Sequence, residues 1–475
     1  MSEHVEPVHD TTASSRVVGI IVLAWLAIYA IVLALNHLTL RTNAFDLSVF
    51  DYALWSTTNG VRPGDVPFYE QSLNSHHFMP TLWVLWPLHL LAPTPAMLIG
   101  VQLVAIATAA VLLGYGFARR LPQLALAAIV VAFLFSRRSH VAITSVFYIE
   151  SLEPLLLLAL IYATQRQQLI LYWICLVLAL GCKEDVGIYT AGYGAMLLLR
   201  PETRRLGVAT IVFSVLWVTI AIKVLIPLAR TLDGIAPDYA FVAERYGDSP
   251  IRDSLGRLWR WESIRRLGSM TLAVGLICWL RPRWLLIAMP GIILNLAAKD
   301  EALQSGLMGH YLWPIMPFMF LAAIEAFDVV ASRWPKGATV LAALIILAAI
   351  GDNPVFRPAP MASRLAALPE TREIRQVLNR IPADASVVAQ PQLIPHITQR
   401  TTIDAVDAQW TMPAEHPDVV VLSDLGDQWP LTSAQFADHV ATMSGHSAYR
   451  RVETTSKHLF LFVNRSRTTG IGSTQ

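Results

Sequence analysis

Long apolar runs are the feature that most limits what this chain can fold into. Inside a bilayer the backbone has no water to bond, so a spanning segment satisfies its own hydrogen bonds as a helix of about 20 residues. The chain of 475 residues is 55% hydrophobic and only 15% charged. Apolar runs lie at 17–35, 95–117, 122–136, 151–164, 169–182, 186–199, 206–228, 267–280, 284–298, 311–329 and 337–350. The sequence therefore predicts an α-helical polytopic membrane protein with about eleven transmembrane helices, over 17–350.

Net charge and cysteine usage argue against several other classes of protein. The formal net charge of +2 gives no basis for a nucleic acid as partner. Cys175, Cys182 and Cys278 fall in apolar segments without zinc-type spacing, so we interpret them as small packing residues. The polar segment 1–16 does not resemble a cleaved secretory signal. The first apolar run is therefore expected to stay in place as the first span.

Short basic loops predict the orientation, because Lys and Arg are retained on the cytoplasmic side. With the N-terminal tail 1–16 in the cytoplasm, the first loop, 36–94, lies outside. Two segments disagree, Arg137-Arg138 and 229–266, and the second mixes arginines with tryptophans in the manner of a helix in the headgroup layer. The basic loops that agree are Arg119-Arg120, Arg166, 200–205, Arg281 with Arg283, and Arg333 with Lys336.

Beyond Ile350 the composition changes to a proline-containing linker and a mixed polar chain. A helix is expected over 370–380, and three β-type segments at 386–390, 419–423 and 458–463. These features predict a small extracytoplasmic α/β domain over 351–465. The Ser/Thr/Gly-rich end, 466–475, is expected to be disordered.

The first external loop carries two acids of interest. Asn43 is placed to cap a short helix in which Asp46 lies in the first turn. Asp51 is five residues further on, about 140° around the helix, so the two carboxylates cannot share one face. Asp46 is either an acid that stabilises the helix start or a catalytic base. The following segment, 79–91, contains prolines and is expected to be a re-entrant or interfacial helix.

His76 and His77 form an adjacent pair at the end of the same polar loop. They are either a surface pair or side chains that bind substrate. Together with Asp46 or Glu150 they could hold a divalent metal, although no ligand spacing specifically supports one.

Charged residues between the later apolar runs form a second group of candidates. Glu150 lies three residues before Glu153 at a span entrance, where both are either helix-start acids or substrate ligands. The triplet Lys183, Glu184 and Asp185 is costly between apolar helices, and its lysine is suited to a lipid phosphate. His310 and Tyr311, with 299–301, form a weaker set of the same kind.

Several motifs resemble one family of bacterial polytopic membrane proteins. They are FDLSVFDYALWSTTNG, HHFMP, KEDVGI, GHYLWPIMPF and IPADASVVAQPQLIPHITQR, in this order from residue 43 to at least residue 403. That family is known as domain of unknown function 2079. It is similar in turn to the C-type (GT-C) membrane glycosyltransferases, whose donors are polyprenyl-phosphate-linked sugars and whose catalytic acid lies in the first external loop.

The resemblance implies a function and a site. Asp46 matches the expected acid by position, and Asp51 is the fallback. The chain lacks the adjacent acid pair of many such enzymes, which leaves the base and the metal dependence open. His77, Lys183, Glu184 and Asp185 fall in family motifs, but their roles are inferred from their chemistry.

Two functional hypotheses follow. The first is a glycosyltransferase of the bacterial plasma membrane that moves a sugar to a hydroxyl acceptor of the cell envelope on the outer face. The second is a non-catalytic transporter or scaffold for lipid-linked envelope material. A transporter is expected to place charges in the middle of its spans. Here the charges gather at one face, which favours the enzyme.

Overall fold

A computed structural model describes residues 11–69, 71–237, 250–299, 304–407, 409–413, 416–426 and 428–467. Most elements are helices. Their bounds are Thr11–Leu38, Val49–Ser56, Leu73–His76, Trp86–Leu91, Pro95–Leu112, Gln123–Phe135, Arg137–Thr144, Glu153–Gln165, Leu169–Leu180, Val186–Leu197, Arg204–Ile220, Ile226–Leu232, Pro250–Leu258, Trp261–Thr271, Arg283–Ala297, Met316–Arg333, Pro335–Gly351, Pro358–Leu378 and Ser433–Gly445. The expected disordered end begins at 466, and 468–475 lie outside the described residues.

The apolar helices agree with a membrane protein, but the count of eleven spans is not confirmed. By length and composition, four helical segments in the described part of the chain can cross a bilayer: Ser15–Leu38, Pro95–Ala118, Gln123–Thr144 and Pro201–Leu232. Shorter apolar helices cover Leu169–Leu180, Arg283–Ala297 and Pro335–Gly351.

Two segments show why apolar runs do not translate directly into spans. The run 267–280 is not one helix, because Gly275 and Leu276 adopt left-handed φ angles of 65° and 62° and separate two short 3-10 turns. The segment 79–91 consists of a 3-10 turn, Pro80–Leu85, followed by the six-residue helix Trp86–Leu91. A proline lies in the first turn of each piece, where its missing N–H is tolerated.

The first helix is held in the bundle by buried polar contacts as well as by packing. Trp25 donates its indole N–H to the Leu134 carbonyl at 3.0 Å. The Tyr29 hydroxyl lies 3.0 Å from His140 Nδ1 and accepts a bond of 3.0 Å from the Asn353 amide. Buried polar groups are costly unless they are paired. These bonds therefore fix the first helix against the helix Gln123–Phe135 and the start of the C-terminal region.

The C-terminal region contains a five-stranded mixed sheet. The strands are β3 (Val387–Ala389), β4 (Ile403–Ala405), β5 (Val419–Ser423), β6 (Tyr449–Val452) and β7 (Leu459–Asn464), and a small pair, β1 (Asp65–Val66) and β2 (Gln71–Ser72), lies in the first loop. The sheet order is β4-β3-β5-β7-β6, with β3 parallel to β4 and β5 and the other pairs antiparallel. The three expected strands are present, whereas β4 and β6 were not anticipated. The expected helix 370–380 is the end of the longer helix Pro358–Leu378.

Loops of the C-terminal sheet pack on the beginning of the first external loop. The Ala44 amide donates to the Pro391 carbonyl at 3.0 Å, and Phe45 meets Trp429 edge-on with 5.6 Å between ring centroids. Gly426 has φ +87°, and a Cβ there would lie 2.4 Å from the Leu40 carbonyl oxygen. This contact requires glycine at position 426 on two counts, backbone angle and space.

We expect Gly426→Ala to loosen the C-terminal domain from the first loop. The left-handed backbone alone costs alanine about 1–2 kcal/mol, and the clash with the Leu40 carbonyl adds to it. Thermal unfolding and limited proteolysis of the purified protein should show a lower melting temperature and earlier release of the domain. Gly445→Ala is the matched control, because nothing lies within 4 Å of its added Cβ. Equal behaviour of the two variants would contradict the docking argument.

Candidate functional site

Asp46 lies in a wide helical turn, Ala44–Ser48, at the start of the first loop. Asn43 caps this turn, since its side chain accepts the Phe45 N–H at 3.1 Å. The half-buried carboxylate of Asp46 accepts a short hydrogen bond from the Tyr148 hydroxyl. Asn43 is therefore the residue that caps the helical turn. The Asp46 side chain instead contacts a distant segment of the chain.

Tyr148 connects Asp46 to the segment around His310. Its ring stacks on the His310 ring with 4.2 Å between centroids, and His310 lies 4.1 Å from the Tyr311 ring. Burial, together with the negative charge of Asp46, raises the pKa of Tyr148 well above its ordinary value. The phenol therefore stays protonated and donates to the Asp46 carboxylate.

A buried ion pair lies next to this group. Lys183 Nζ is 3.0 Å from Glu150 Oε1, and both side chains are almost fully buried. The ammonium also lies 5.3 Å from the centroid of the Tyr311 ring. Burial raises the pKa of Glu150, but the positive charges of Lys183 and His310 lower it by more than burial raises it. The net shift of this pKa is therefore downward. Lys183 is thus a cation held between a carboxylate and an aromatic face.

His77 and Glu184 attach the first loop to the turn that contains Lys183. His77 Nδ1 lies 2.7 Å from Glu184 Oε1, and the Phe78 amide donates to the other carboxylate oxygen at 3.3 Å. His76 packs edge-on against His77 with a centroid distance of 4.6 Å. The two histidines therefore lie against the protein, and the interpretation as a surface pair is wrong for His77, which is 7% exposed.

A small cavity of about 70 Å³ opens between Lys183, Glu184, Asp185 and Tyr311. Beside it, Glu153 is fully buried, and its carboxylate oxygens have no hydrogen-bond partner among the described residues. Burial raises the pKa of Asp185 from 3.8 to about 6, with Lys183 opposing the shift and Glu184 adding to it. The site therefore combines one cation with several carboxyl groups of unequal acidity.

Asp51 belongs to a different environment. It is fully buried on the helix Val49–Ser56, where Oδ1 lies 3.1 Å from His89 Nε2 and Oδ2 accepts a long bond of 3.4 Å from the Gln399 amide. Asp46 and Asp51 thus face different neighbours, in agreement with their helical spacing. The contacts of Asp51 join the first loop to the C-terminal domain.

A comparison with known families identifies the family of the chain. A family profile described as predicted membrane protein (DUF2079) matches residues 36–459. The chain belongs to this family.

A comparison with solved structures shows which fold the chain shares. One is ArnT from Cupriavidus metallidurans bound to undecaprenyl phosphate, with a TM-score of 0.57 and 11% identity over 96% of this chain and 99% of that one. The structure of the same protein in the apo state has a TM-score of 0.54 and 12% identity. That match covers 93% of this chain and 97% of the other. Among curated proteins nothing matches. At such identities the likeness shows that the chain shares the fold of ArnT. The expected resemblance to the DUF2079 family is confirmed.

Most of the sequence candidates in this family member meet at one place. Asp46, His310, Tyr311, Lys183 and Glu150 form a continuous series of contacts through Tyr148. His77, Glu184 and Asp185 border it, His76 touches its edge, and Asp51 lies apart. Tyr148 was missed, although it directly precedes the acidic run that contains Glu150. Within the described ranges no three His, Cys, Asp or Glu side chains are grouped to share a metal ion.

The raised pKa of Asp185 predicts a pH-dependent stability. Ionisation of Asp185 is less favourable in the folded protein than in the unfolded chain. The contribution of Asp185 to folding stability is therefore complete below pH 4, where the acid is protonated in both states, and is lost as pH rises through about 6. The melting temperature of the Asp185→Asn protein relative to wild type should therefore rise between pH 4 and pH 7. The exposed Asp438→Asn is the control, and the same pH trend in both variants would contradict the assignment.

Proposed function

We propose that this protein transfers a glycosyl group from a polyprenyl-phosphate-linked donor to a hydroxyl acceptor, with Asp46 as the base. The observation that carries the proposal is the contact of Asp46, on the first loop, with Tyr148 in a site that also holds a lysine. The fold shared with ArnT, one structure of which holds undecaprenyl phosphate, supports a polyprenyl phosphate as lipid partner.

The chemistry needs few groups. Asp46 takes the proton of the acceptor hydroxyl as its oxygen bonds to the anomeric carbon. The bond from that carbon to the phosphate oxygen breaks, and the electron pair leaves with the polyprenyl phosphate. Tyr148 orients the carboxylate through its hydrogen bond. A phosphate that replaces Glu150 as the partner of Lys183 would have its growing charge stabilised there.

The other side chains of the site are proposed to contact substrate. Asp185 and Tyr311 line the cavity beside Lys183, and His310 is stacked between Tyr148 and Tyr311. Ligand cavities commonly measure about 300–1,000 Å³, so a cavity of about 70 Å³ is too small for a sugar phosphate. Donor binding therefore requires the surrounding loops to separate.

Asp46→Asn tests the assignment of the base. The amide cannot accept the proton, so release of polyprenyl phosphate from a panel of lipid-linked sugars should fall by about a hundred- to ten-thousand-fold. Tyr148 can still donate to the amide oxygen, so folding and melting temperature should change little. A parallel measurement with a chelator tests the need for a divalent metal.

Asp51→Asn is the matched control, since it alters a buried acid of the same loop. It should lower stability through its contacts with His89 and Gln399 but retain transfer in the folded fraction. Normal transfer in both variants would move the base to another acid. Absence of any release by the wild-type protein would favour the transporter or scaffold.

The proposed site requires an extracytoplasmic C-terminal domain and a cytoplasmic N-terminus at the bacterial plasma membrane. The basic loops support this orientation. Alkaline phosphatase fused after Arg467 should be active in cells, and the same enzyme fused after Arg204 should be inactive. The reverse pattern would place the candidate site on the cytoplasmic side and contradict the proposal.

A further inference from the structure

Another cavity lies away from Lys183 and belongs to none of the groups above. It has a volume of about 730 Å³ and is bordered by the helices Arg137–Thr144, Trp261–Thr271 and Pro335–Gly351. Four arginines line it, Arg137, Arg138, Arg265 and Arg266, against two acids, Glu262 and Asp352. Cavities of this size commonly bind small ligands, and the excess of guanidinium groups indicates an anion.

Arg138 is the least compensated of these charges. Its guanidinium donates from one terminal nitrogen to the carbonyls of Gly306 and Leu307 at 2.8 and 2.7 Å. The other terminal nitrogen donates to Ser269 Oγ at 3.1 Å and to the Arg266 carbonyl at 3.4 Å. It has no carboxylate partner among the described residues. These neutral acceptors hold the half-buried side chain in one position but leave its charge unneutralised. The charge of a fixed guanidinium without a counterion attracts a phosphate. Among the described residues only the Nε–H of Arg138 has no acceptor, and this N–H remains to donate to a phosphate oxygen.

The other three arginines are each paired with an acid whose side chain is more than a third exposed. Arg265 and Arg266 share Glu262, at 2.5 and 3.1 Å. Arg137 lies 3.3 Å from Asp352, and both of these side chains are more than half exposed. Exposed ion pairs of this kind contribute little to stability. An incoming anion can therefore share these arginines at small cost.

The remaining wall of the cavity is apolar and opens towards the surface. Leu272 is 60% exposed, and Ala273 and Ala348 lie beside it. The adjoining helix Trp261–Thr271 carries Trp261, which is 74% exposed, and Ile264, which is 54% exposed. Exposed tryptophan and arginine on one amphipathic helix are typical of the bilayer interface. The cavity thus offers cations for a head group and an apolar side for a chain.

We propose that this cavity binds the phosphate group of an anionic membrane lipid, with Arg138 as the principal contact. The lipid chain lies along Leu272 and Ala273, and Arg266 and Arg265 approach the phosphate from the amphipathic helix. The proposal does not depend on glycosyl transfer. It assigns a second lipid-binding region to the protein.

The test is lipid binding by the purified full-length protein in phosphatidylcholine nanodiscs. Short-chain phosphatidylglycerol is titrated, and short-chain phosphatidylcholine, a short polyprenyl phosphate and inorganic phosphate form parallel arms. Phosphatidylglycerol should bind to the wild-type protein. Arg138→Gln should lower the affinity for phosphatidylglycerol about ten- to a hundred-fold, as expected for loss of a charge-assisted contact. Arg120→Gln, at an exposed arginine elsewhere, is the matched control and should bind as wild type.

Two further variants leave the bonds of Arg138 intact. They test lipid binding at this cavity if the Arg138→Gln protein does not fold. Ala273→Trp fills the apolar wall and should abolish lipid binding while leaving any binding of inorganic phosphate. Arg265→Gln should weaken the binding of anionic lipids and leave the binding of phosphatidylcholine unchanged. Equal binding of phosphatidylcholine and phosphatidylglycerol, or equal binding by Arg265→Gln and Arg120→Gln, would overturn the proposal. Inorganic phosphate that binds as tightly as lipid, with no effect of Ala273→Trp, would overturn its lipid part.

Discussion

The buried ion pair between Lys183 and Glu150 is the contact on which the candidate site depends. Taking two charges out of water costs several kcal/mol for each ion, and only a close partner offsets this cost. The pair is closed at 3.0 Å, and the Tyr311 ring covers the ammonium. Because the three residues come from separate segments of the chain, their contacts hold these segments together. Removal of either charge would leave the other buried and unpaired, so these residues are poor single probes of catalysis.

The same requirement positions the first loop. Glu184 directly follows Lys183 and binds both the His77 ring and the Phe78 amide. The other end of the loop is fixed by the contact of Asp46 with Tyr148, two residues before Glu150. The loop is therefore attached at both ends to the segments that form the ion pair. Asp46 is placed by long-range contacts, since the local capping requirement is already met by Asn43.

The sequence predicts the class of fold and most residues of the candidate site, for physical reasons that also explain what it misses. Apolar runs identify a helical membrane protein, but they cannot reveal that Gly275 and Leu276 interrupt the run 267–280. Strands β3, β5 and β7 are continuous apolar segments, whereas β4 has an exposed Asp404 at its centre and β6 an exposed Arg450 and Arg451. Charged side chains stand out in an apolar sequence, which is why Glu150 and Lys183 were found. Tyr148 did not stand out, because aromatic residues occur throughout such a chain and its role depends on tertiary contacts.

The arginine-lined cavity and the candidate site share one short segment of backbone. Arg138 bonds the carbonyls of Gly306 and Leu307, and His310, three residues further on, stacks on Tyr148. Leu307 has a φ of 52°, a left-handed conformation that costs a non-glycine residue roughly 1–3 kcal/mol and persists only when its surroundings enforce it. The bonds from Arg138 supply that enforcement. The segment that bonds Arg138 in the arginine-lined cavity therefore also positions the ring of His310 in the candidate site.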